Sequence, residues 1–80
     1  MILTNRERAR EWVCGLKIGE VVTFEKSGNF YAVRVVDKAR DGGAIIVRAC
    51  DYNEFNGVYR VKRGAGREFW TIGDLVGAEI

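Results

Sequence analysis

Histidine and proline are absent from this chain of 80 residues, and serine occurs only once, at Ser27. Without histidine, the chain lacks the commonest general base and the commonest zinc ligand, and it cannot form a Ser-His or Cys-His catalytic pair. The two cysteines, Cys14 and Cys50, are too few for a disulfide framework or for a zinc site with four ligands. We therefore expect no enzyme activity, no metal and no cofactor.

Long apolar runs are also lacking. No stretch approaches the length of a membrane span, and "MILTNRERAR" lacks the apolar core of a signal peptide. We expect a cytoplasmic protein that makes no membrane contact. In that compartment Cys14 and Cys50 are expected to be reduced thiols, with a single disulfide between them as the alternative.

Two stretches come close to ligand-binding loops but lack required residues. "GAGREF" (64–69) has Phe69 where a dinucleotide-binding fingerprint needs its third glycine, and no helix is predicted to follow. "DYNEFNG" (51–57) lacks the glycine at the sixth position of a calcium loop. We interpret "GAG" as a hairpin turn between two strands, and "DYNEFNG" as a polar hairpin loop.

The N-terminal residues predict an amphipathic helix over about 5–14. Thr4 and Glu7 match a capping box, in which each residue satisfies a backbone donor at the other's position. An apolar stripe follows at helical spacing and consists of Ala9, Trp12, Val13 and Leu16. Gly15 is expected to end the helix in a left-handed conformation. Trp12 is expected to anchor the helix to the rest of the domain.

After Gly19, β-branched runs alternate with glycine-containing turns, which predicts strands. The predicted strands cover about 20–26, 30–37, 44–51, 58–63 and 67–72. The expected fold class is mainly β (α+β), with the helix followed by a five-stranded antiparallel meander in a single domain, 1–80. Five short strands in so small a domain favour a meander curled into a barrel, and the architecture resembles the small SH3-like barrels.

Charge is distributed unevenly. The net charge is +2, but residues 34–67 carry eight cations against four acids, whereas residues 68–80 carry three acids and no cation. Strand alternation predicts one exposed sheet face with the cations Arg34, Arg48, Arg60 and Lys62. Cations expected in the flanking loops are Lys38, Arg40, Arg63 and Arg67. This bias in sign favours an anionic partner, because a face that is merely solvated would mix acids among the cations.

A structural role for some of these cations is the alternative. A tight hairpin at residues 56–57 would pair Asp51 with Lys62. It would also pair Asn53 with Arg60 and partly neutralise the basic face.

Aromatic residues divide into two predicted groups. The expected core aromatics are Trp12, Phe24, Phe30 and one of Phe69 and Trp70. The expected partly exposed cluster consists of Tyr31, Tyr52, Phe55 and Tyr59. Beside the cations, such a cluster suits base stacking or a peptide-binding groove, and ordinary half-buried tyrosines are the alternative.

These features predict a small non-catalytic binding module that contacts nucleic acid through its basic sheet face and the 58–67 hairpin. The expected binding residues are Arg34, Arg48, Arg60, Lys62, Arg63, Arg67, Tyr52, Phe55 and Tyr59. The alternative is a protein–protein interaction module or a small inhibitor or regulator of a larger enzyme, of the phage-encoded anti-defence type. A monomer or a homodimer formed through an exposed strand edge is expected.

Overall fold

The computed structural model describes residues 1–80. Its elements in chain order are α1 (Arg6–Gly15), β1 (Val21–Lys26), β2 (Asn29–Lys38), β3 (Ala44–Asn53), β4 (Val58–Val61), β5 (Glu68–Thr71) and α2 (Ile72–Leu75). The five strands form one antiparallel sheet, which confirms the predicted mainly β class. Each predicted boundary of the helix and the strands lies within two residues of the observed one.

The order of the strands departs from a meander at its last step. β1, β2 and β3 pair in chain order, and β3 then pairs with both β4 and β5. β4 pairs with residues 50–53 and β5 with residues 44–47. The predicted hairpin between β4 and β5 is therefore wrong. β3 is ten residues long and β4 and β5 have four each, so one strand accommodates both along the same edge.

The sheet is not closed. The outer edge of β1 pairs at Glu25 with Glu79, and Glu79 also pairs with Ile2. The backbone N–H and C=O of Glu25 each bond to Glu79 at 2.8 Å. The C-terminal segment thus covers the edge at β1, whereas β4 and β5 form the opposite edge.

The core lies between α1 and one face of the sheet. Its buried residues on α1, β2 and β3 are Ala9, Val13, Val33, Val35, Ile45 and Val47. Phe24 is 2% exposed and joins the two layers, because its ring lies 6.0 Å from Trp12 and 5.3 Å from Trp70. The packing of Trp12 against this core agrees with its predicted anchoring role.

Helix α1 begins with a different cap from the one predicted. Asn5 is the N-cap residue, and its Oδ1 accepts a hydrogen bond from the backbone N of Arg8 at 2.9 Å. Asparagine is a stronger N-cap than threonine. Arg8 also occupies the position at which a box starting from Asn5 would need glutamate or glutamine. The predicted box between Thr4 and Glu7 is wrong.

We expect the substitution Asn5→Ala to lower the free energy of unfolding by about 1 kcal/mol, because the backbone N–H of Arg8 loses its acceptor. Urea denaturation followed by circular dichroism measures this change. Thr4→Ala is the matched control and should leave the denaturation midpoint unchanged. A larger loss in Thr4→Ala than in Asn5→Ala would show that the helix begins at the capping box after all.

The C-terminal end of helix α1 is capped by a lysine that is distant in the sequence, instead of by a left-handed glycine. Gly15 stays within the helix, and the C-cap residue Leu16 is extended. The ammonium of Lys38 donates to the carbonyls of Val13, Cys14 and Leu16 at 3.3, 2.8 and 2.6 Å. A cation at this end of a helix satisfies free carbonyls and the negative end of the dipole. Lys38 therefore has a structural role, contrary to its predicted place in the basic surface.

A capping box opens α2. The Oγ1 of Thr71 accepts from the backbone N of Asp74 at 3.2 Å, and the Oδ2 of Asp74 accepts from the backbone N of Thr71 at 3.0 Å. The backbone N–H of Thr71, then its hydroxyl, lower the pKa of Asp74 below its ordinary value, and the charge of Lys26 adds a smaller effect. Each contact favours the ionised carboxylate.

This lowered pKa predicts a pH dependence of stability. The folded chain holds the Asp74 carboxylate at a lower pKa than the unfolded chain does. The ionised Asp74 carboxylate therefore contributes fully to the free energy of unfolding above its pKa in the unfolded chain. This contribution is lost as the pH falls through its pKa in the folded chain. We expect Asp74→Asn to show a shallower fall in unfolding free energy between about pH 5 and pH 2 than the unsubstituted protein. Denaturation midpoints across that range test this, and equal slopes would contradict it.

Candidate nucleic-acid interface

Three of the predicted binding residues line up across the sheet. Arg34 on β2 and Arg48 on β3 are directly opposed in the β2–β3 ladder. Arg67 immediately precedes β5, in which Glu68 is opposed to Val47. Continuing that register by one residue places Arg67 across from Arg48. Since directly opposed side chains share one face of a sheet, we call Arg34, Arg48 and Arg67 the arginine row.

No acid compensates the arginine row. The ion pairs in the structure are Arg8–Glu11, Arg10–Asp41 and Lys62–Asp51. Arg48 and Arg67 are exposed, whereas Arg34 is half-buried and its Nε is buried without a hydrogen-bond partner. Like charges that are directly opposed destabilise a sheet. Pairing with acidic side chains therefore does not explain why these arginines lie together.

Arg60 and Lys62 lie on the other face. Arg60 is opposed to Asp51, and the backbone N of Lys62 donates to the carbonyl of Ala49 at 2.9 Å. Residues 49 and 51 alternate with Arg48 along β3, so side chains opposed to them point away from the arginine row. The prediction that all four strand cations share one face is wrong.

The turn before β4 also differs from the predicted one. Residues 54–57 form a four-residue turn, and Asn53 is opposed to Val58 instead of Arg60. The Oδ1 of Asn53 accepts from the backbone N of Phe55 at 2.9 Å, which starts the reversal before residue 56. The register is therefore shifted by two residues from the tight hairpin predicted at 56–57.

A second basic cluster lies on the hairpin formed by β3 and β4. An open groove of about 820 Å³, which we call the hairpin groove, is lined by Asp51, Phe55, Arg60, Lys62 and Arg63, among others. The Nζ of Lys62 lies 3.8 Å from the Oδ1 of Asp51, so the predicted neutralisation is partly present. In contrast to the arginine row, the hairpin groove has mixed charge.

The predicted aromatic cluster is only partly assembled. Tyr52 and Tyr59 are directly opposed, and their ring centroids lie 5.1 Å apart. Phe55 is fully exposed in the turn that follows β3. Tyr31 does not join this cluster, because its ring stacks on Phe24 at 5.2 Å within the core aromatics.

Two exposed phenylalanines on the face of the arginine row were not predicted as site residues. Phe30, which was expected in the core, is 60% exposed, and Phe69 is 65% exposed. Phe30 precedes Arg34 by four residues and Phe69 follows Arg67 by two, so strand alternation was the signal that could have found them. Trp70 is the inward member of the pair at 69–70.

Two further predicted cations, Arg40 and Arg63, lie in turns. Arg40 lies in the exposed turn between β2 and β3, and Arg63 in the exposed turn after β4. Neither forms an ion pair. Cys14 is an exposed free thiol and Cys50 a buried one, so no disulfide joins them.

No family model, curated protein or solved structure matches this chain. Neither α1 nor α2 has the length and apolar character needed to cross a bilayer. The features of this chain that bear on its function are the arginine row, the exposed aromatics and the hairpin groove.

Proposed function

We propose that this protein is a small non-catalytic module that binds nucleic acid through the arginine row. The observation that carries the proposal is the direct opposition of Arg34 and Arg48, with neither guanidinium in an ion pair. Phosphates are anions that a nucleic acid presents in series along its backbone. The planar guanidinium of arginine binds them through two parallel hydrogen bonds.

The energetics favour an anionic ligand over a purely structural role. Opposed like charges cost stability, whereas opposed unlike charges or β-branched residues contribute about 0.2–1 kcal/mol relative to alanine. A phosphate bound between Arg34 and Arg48 would convert their repulsion into attraction to a shared anion. Binding of an anion therefore accounts for two opposed arginines better than a role in folding does.

Other predicted residues have smaller expected roles in this proposal. Arg63 lies in the turn after β4 and lines the hairpin groove rather than the arginine row. Arg60 and Lys62 lie on the opposite side of the β3–β4 ladder. Lys62 is also paired with Asp51, so we expect it to contribute less to phosphate binding than Arg48 does.

Fluorescence anisotropy with labelled oligonucleotides tests the proposal. The protein would be titrated into single- and double-stranded DNA and RNA at low salt, and unlabelled oligonucleotide would then compete for binding. We expect saturable binding to at least one of these probes. No binding to any probe, even at low salt, would overturn the proposal, because phosphate contacts are strongest under that condition.

Protein binding through the hairpin groove is the second candidate function. The hairpin exposes Phe55 fully and Tyr52 and Val58 by 54% and 51%, and such side chains are typical anchors of protein interfaces. Such a surface would suit a protein that acts as a small inhibitor or regulator by docking on a larger enzyme. Capture from a lysate, with and without nuclease, distinguishes the candidates: a partner that resists nuclease and is lost in Phe55→Ala supports protein binding.

We also propose a cytoplasmic location and an SH3-like architecture for this protein. A cytoplasmic location is supported by the two free thiols, because a reducing compartment keeps cysteines unpaired. A resemblance in architecture to the small SH3-like barrels is supported by five short antiparallel strands with a helix packed on one face. Nuclear Overhauser contacts between the backbones of β1 and β5 would establish barrel closure in solution, and their absence would leave an open sheet.

A further inference from the structure

We infer that the nucleic acid bound by this protein is single-stranded, and that its unpaired bases stack on aromatic side chains beside the arginine row. The inference rests on the proposed function and adds the class of nucleic acid. The side chains concerned are Phe30 on β2, Tyr52 on β3 and Tyr59 on β4, which we call the aromatic row.

The members of the aromatic row line one notch, and two of them are exposed. Tyr52 and Tyr59 are directly opposed, with ring centroids 5.1 Å apart and ring planes inclined at 56°. Phe30, Tyr52 and Tyr59 line one notch of about 270 Å³ in the gap between β2 and β3, and residues of the core side such as Tyr31 and Ala49 also line it. Phe30 is 60% and Tyr52 54% exposed, whereas Tyr59 is half-buried.

The aromatic row lies beyond one end of the arginine row, where β2 and β3 no longer pair with each other, because their ladder ends at Val33 and Ala49. Phe30 lies four residues before Arg34 on β2, and Tyr52 lies four residues after Arg48 on β3. An even spacing keeps side chains on one face. Because β2 and β3 are antiparallel, both steps lead in the same direction from the arginine row. Four residues of strand span about 13 Å, so the two rows can contact one extended strand.

A further aromatic side chain lies on the other flank of the arginine row. Phe69 is two residues beyond Arg67, is opposed to Ile46 on β3 and is 65% exposed. Two residues of strand span about 7 Å. The arginines are thus placed between aromatic rings on both sides, as in surfaces that alternate backbone contacts with base stacking.

Acidic residues near the notch do not oppose this arrangement. Asp51 and Glu68 are among the residues that line the notch. Glu68 is opposed to Val47, which is buried in the core, and Asp51 alternates with Tyr52 along β3. Alternation along β3 and β5 therefore directs both carboxylates to the core side of the notch, whereas the aromatic row lies on its other side. The charge of Asp51 is also countered by Lys62, at 3.8 Å.

The geometry favours single strands over duplexes because the bases of a duplex are stacked on one another and cannot offer their faces. Proteins that read duplex DNA insert a helix or a two-stranded ribbon into a groove. The arginine row instead lies across one face of the sheet, and the aromatic row continues from it beyond the paired part of β2 and β3. Aromatic rings on such a face bind bases that are already unpaired.

The test uses the intact protein and four labelled probes: a single-stranded oligonucleotide, the same sequence as a duplex, a mixed-sequence RNA single strand, and an abasic strand with the same number of phosphates. Stacking predicts that the base-containing single strands bind at least about tenfold more tightly than the abasic strand and the duplex. Phe30→Ala and Tyr52→Ala should each weaken single-strand binding by about 5-fold or more and leave abasic-strand binding unchanged.

Ile18→Ala is the matched control, because Ile18 is 57% exposed in the loop between α1 and β1. It should bind every probe as the unsubstituted protein does. Equal affinity for the single strand, the duplex and the abasic strand would overturn this inference and leave the proposed function standing. No binding to any probe would overturn both. The comparison of probes uses the unsubstituted protein, so the result does not depend on whether a variant folds.

Discussion

Replacing Arg48 by glutamate is expected to weaken nucleic-acid binding by about 10- to 100-fold, because a charge-assisted contact to phosphate is replaced by repulsion. The same substitution should make the protein more stable. It places a carboxylate directly across from Arg34, and opposed unlike charges contribute about 0.2–1 kcal/mol. A variant that is more stable and yet binds less well would separate the role of this position in binding from its role in folding. Anisotropy titrations and urea denaturation of the same preparation measure both effects.

Arg8→Glu is the control for this prediction, because it makes the same change in net charge on α1. Arg8 lies on an exposed part of α1, whose buried stripe packs against the opposite face of the sheet from the arginine row. Its effect on binding should be small. If Arg48→Glu binds as tightly as the unsubstituted protein, or no more weakly than Arg8→Glu, the arginine row is not the binding surface.

Replacing Phe24 by alanine is expected to unfold the domain or bring it close to unfolding. Phe24 is 2% exposed, and its ring contacts those of Trp12, Tyr31 and Trp70 at centroid distances of 5.2–6.0 Å. Such a truncation costs about 3–5 kcal/mol, because the core is left with a cavity. A domain of this length has a total stability of roughly 4–12 kcal/mol.

Thermal and urea denaturation measure the loss in Phe24→Ala. Phe30→Ala, on the strand that pairs with β1, is the matched control for stability and should change the midpoint only slightly, because its side chain is 60% exposed. Equal midpoints for Phe24→Ala and the unsubstituted protein would show that the contacts of Phe24 with Trp12 and Trp70 do not hold α1 against the sheet.

The helix and the strands could be predicted from the sequence because each depends on local patterns. The stripe from Ala9 to Leu16 has helical spacing, and the strands are runs of β-branched residues separated by glycine. Gly42 and Gly57, with φ of 74° and 69°, occupy the left-handed positions that such turns require. Because these signals act over a few residues, they can be recognised without knowledge of tertiary contacts.

Strand pairing was harder to predict because it depends on contacts far apart in the sequence. The Asn53 side chain starts the turn before Asn56, and this early turn shifts the register of β4 by two residues. Nothing local indicates that β5 pairs with β3 instead of β4. Lys38 likewise appears in the sequence as a loop cation, and only the fold brings it to the end of α1.

Only part of the candidate site could be predicted, because local alternation sets the face of some residues and strand pairing sets the face of others. Arg34 and Arg48 share a face because alternation within β2 and β3 is local, and the structure places them directly across from each other. Arg60 lies elsewhere because its face depends on how β4 pairs with β3. Phe30 and Tyr31 exchanged their expected positions, since aromatic character alone does not say which neighbour points inward.

The salt dependence of single-strand binding tests the central claim most directly. Each phosphate neutralised by the arginine row releases counterions, so the logarithm of the affinity should fall linearly with the logarithm of the salt concentration, with a slope of about −0.7 per contact. The unsubstituted protein and the double variant Arg34→Ala/Arg48→Ala would be titrated at four or more salt concentrations. The account predicts a steep negative slope for the unsubstituted protein and a slope shallower by about 1.4 for the double variant. Identical slopes for the two proteins, or an affinity that does not change with salt, would contradict it.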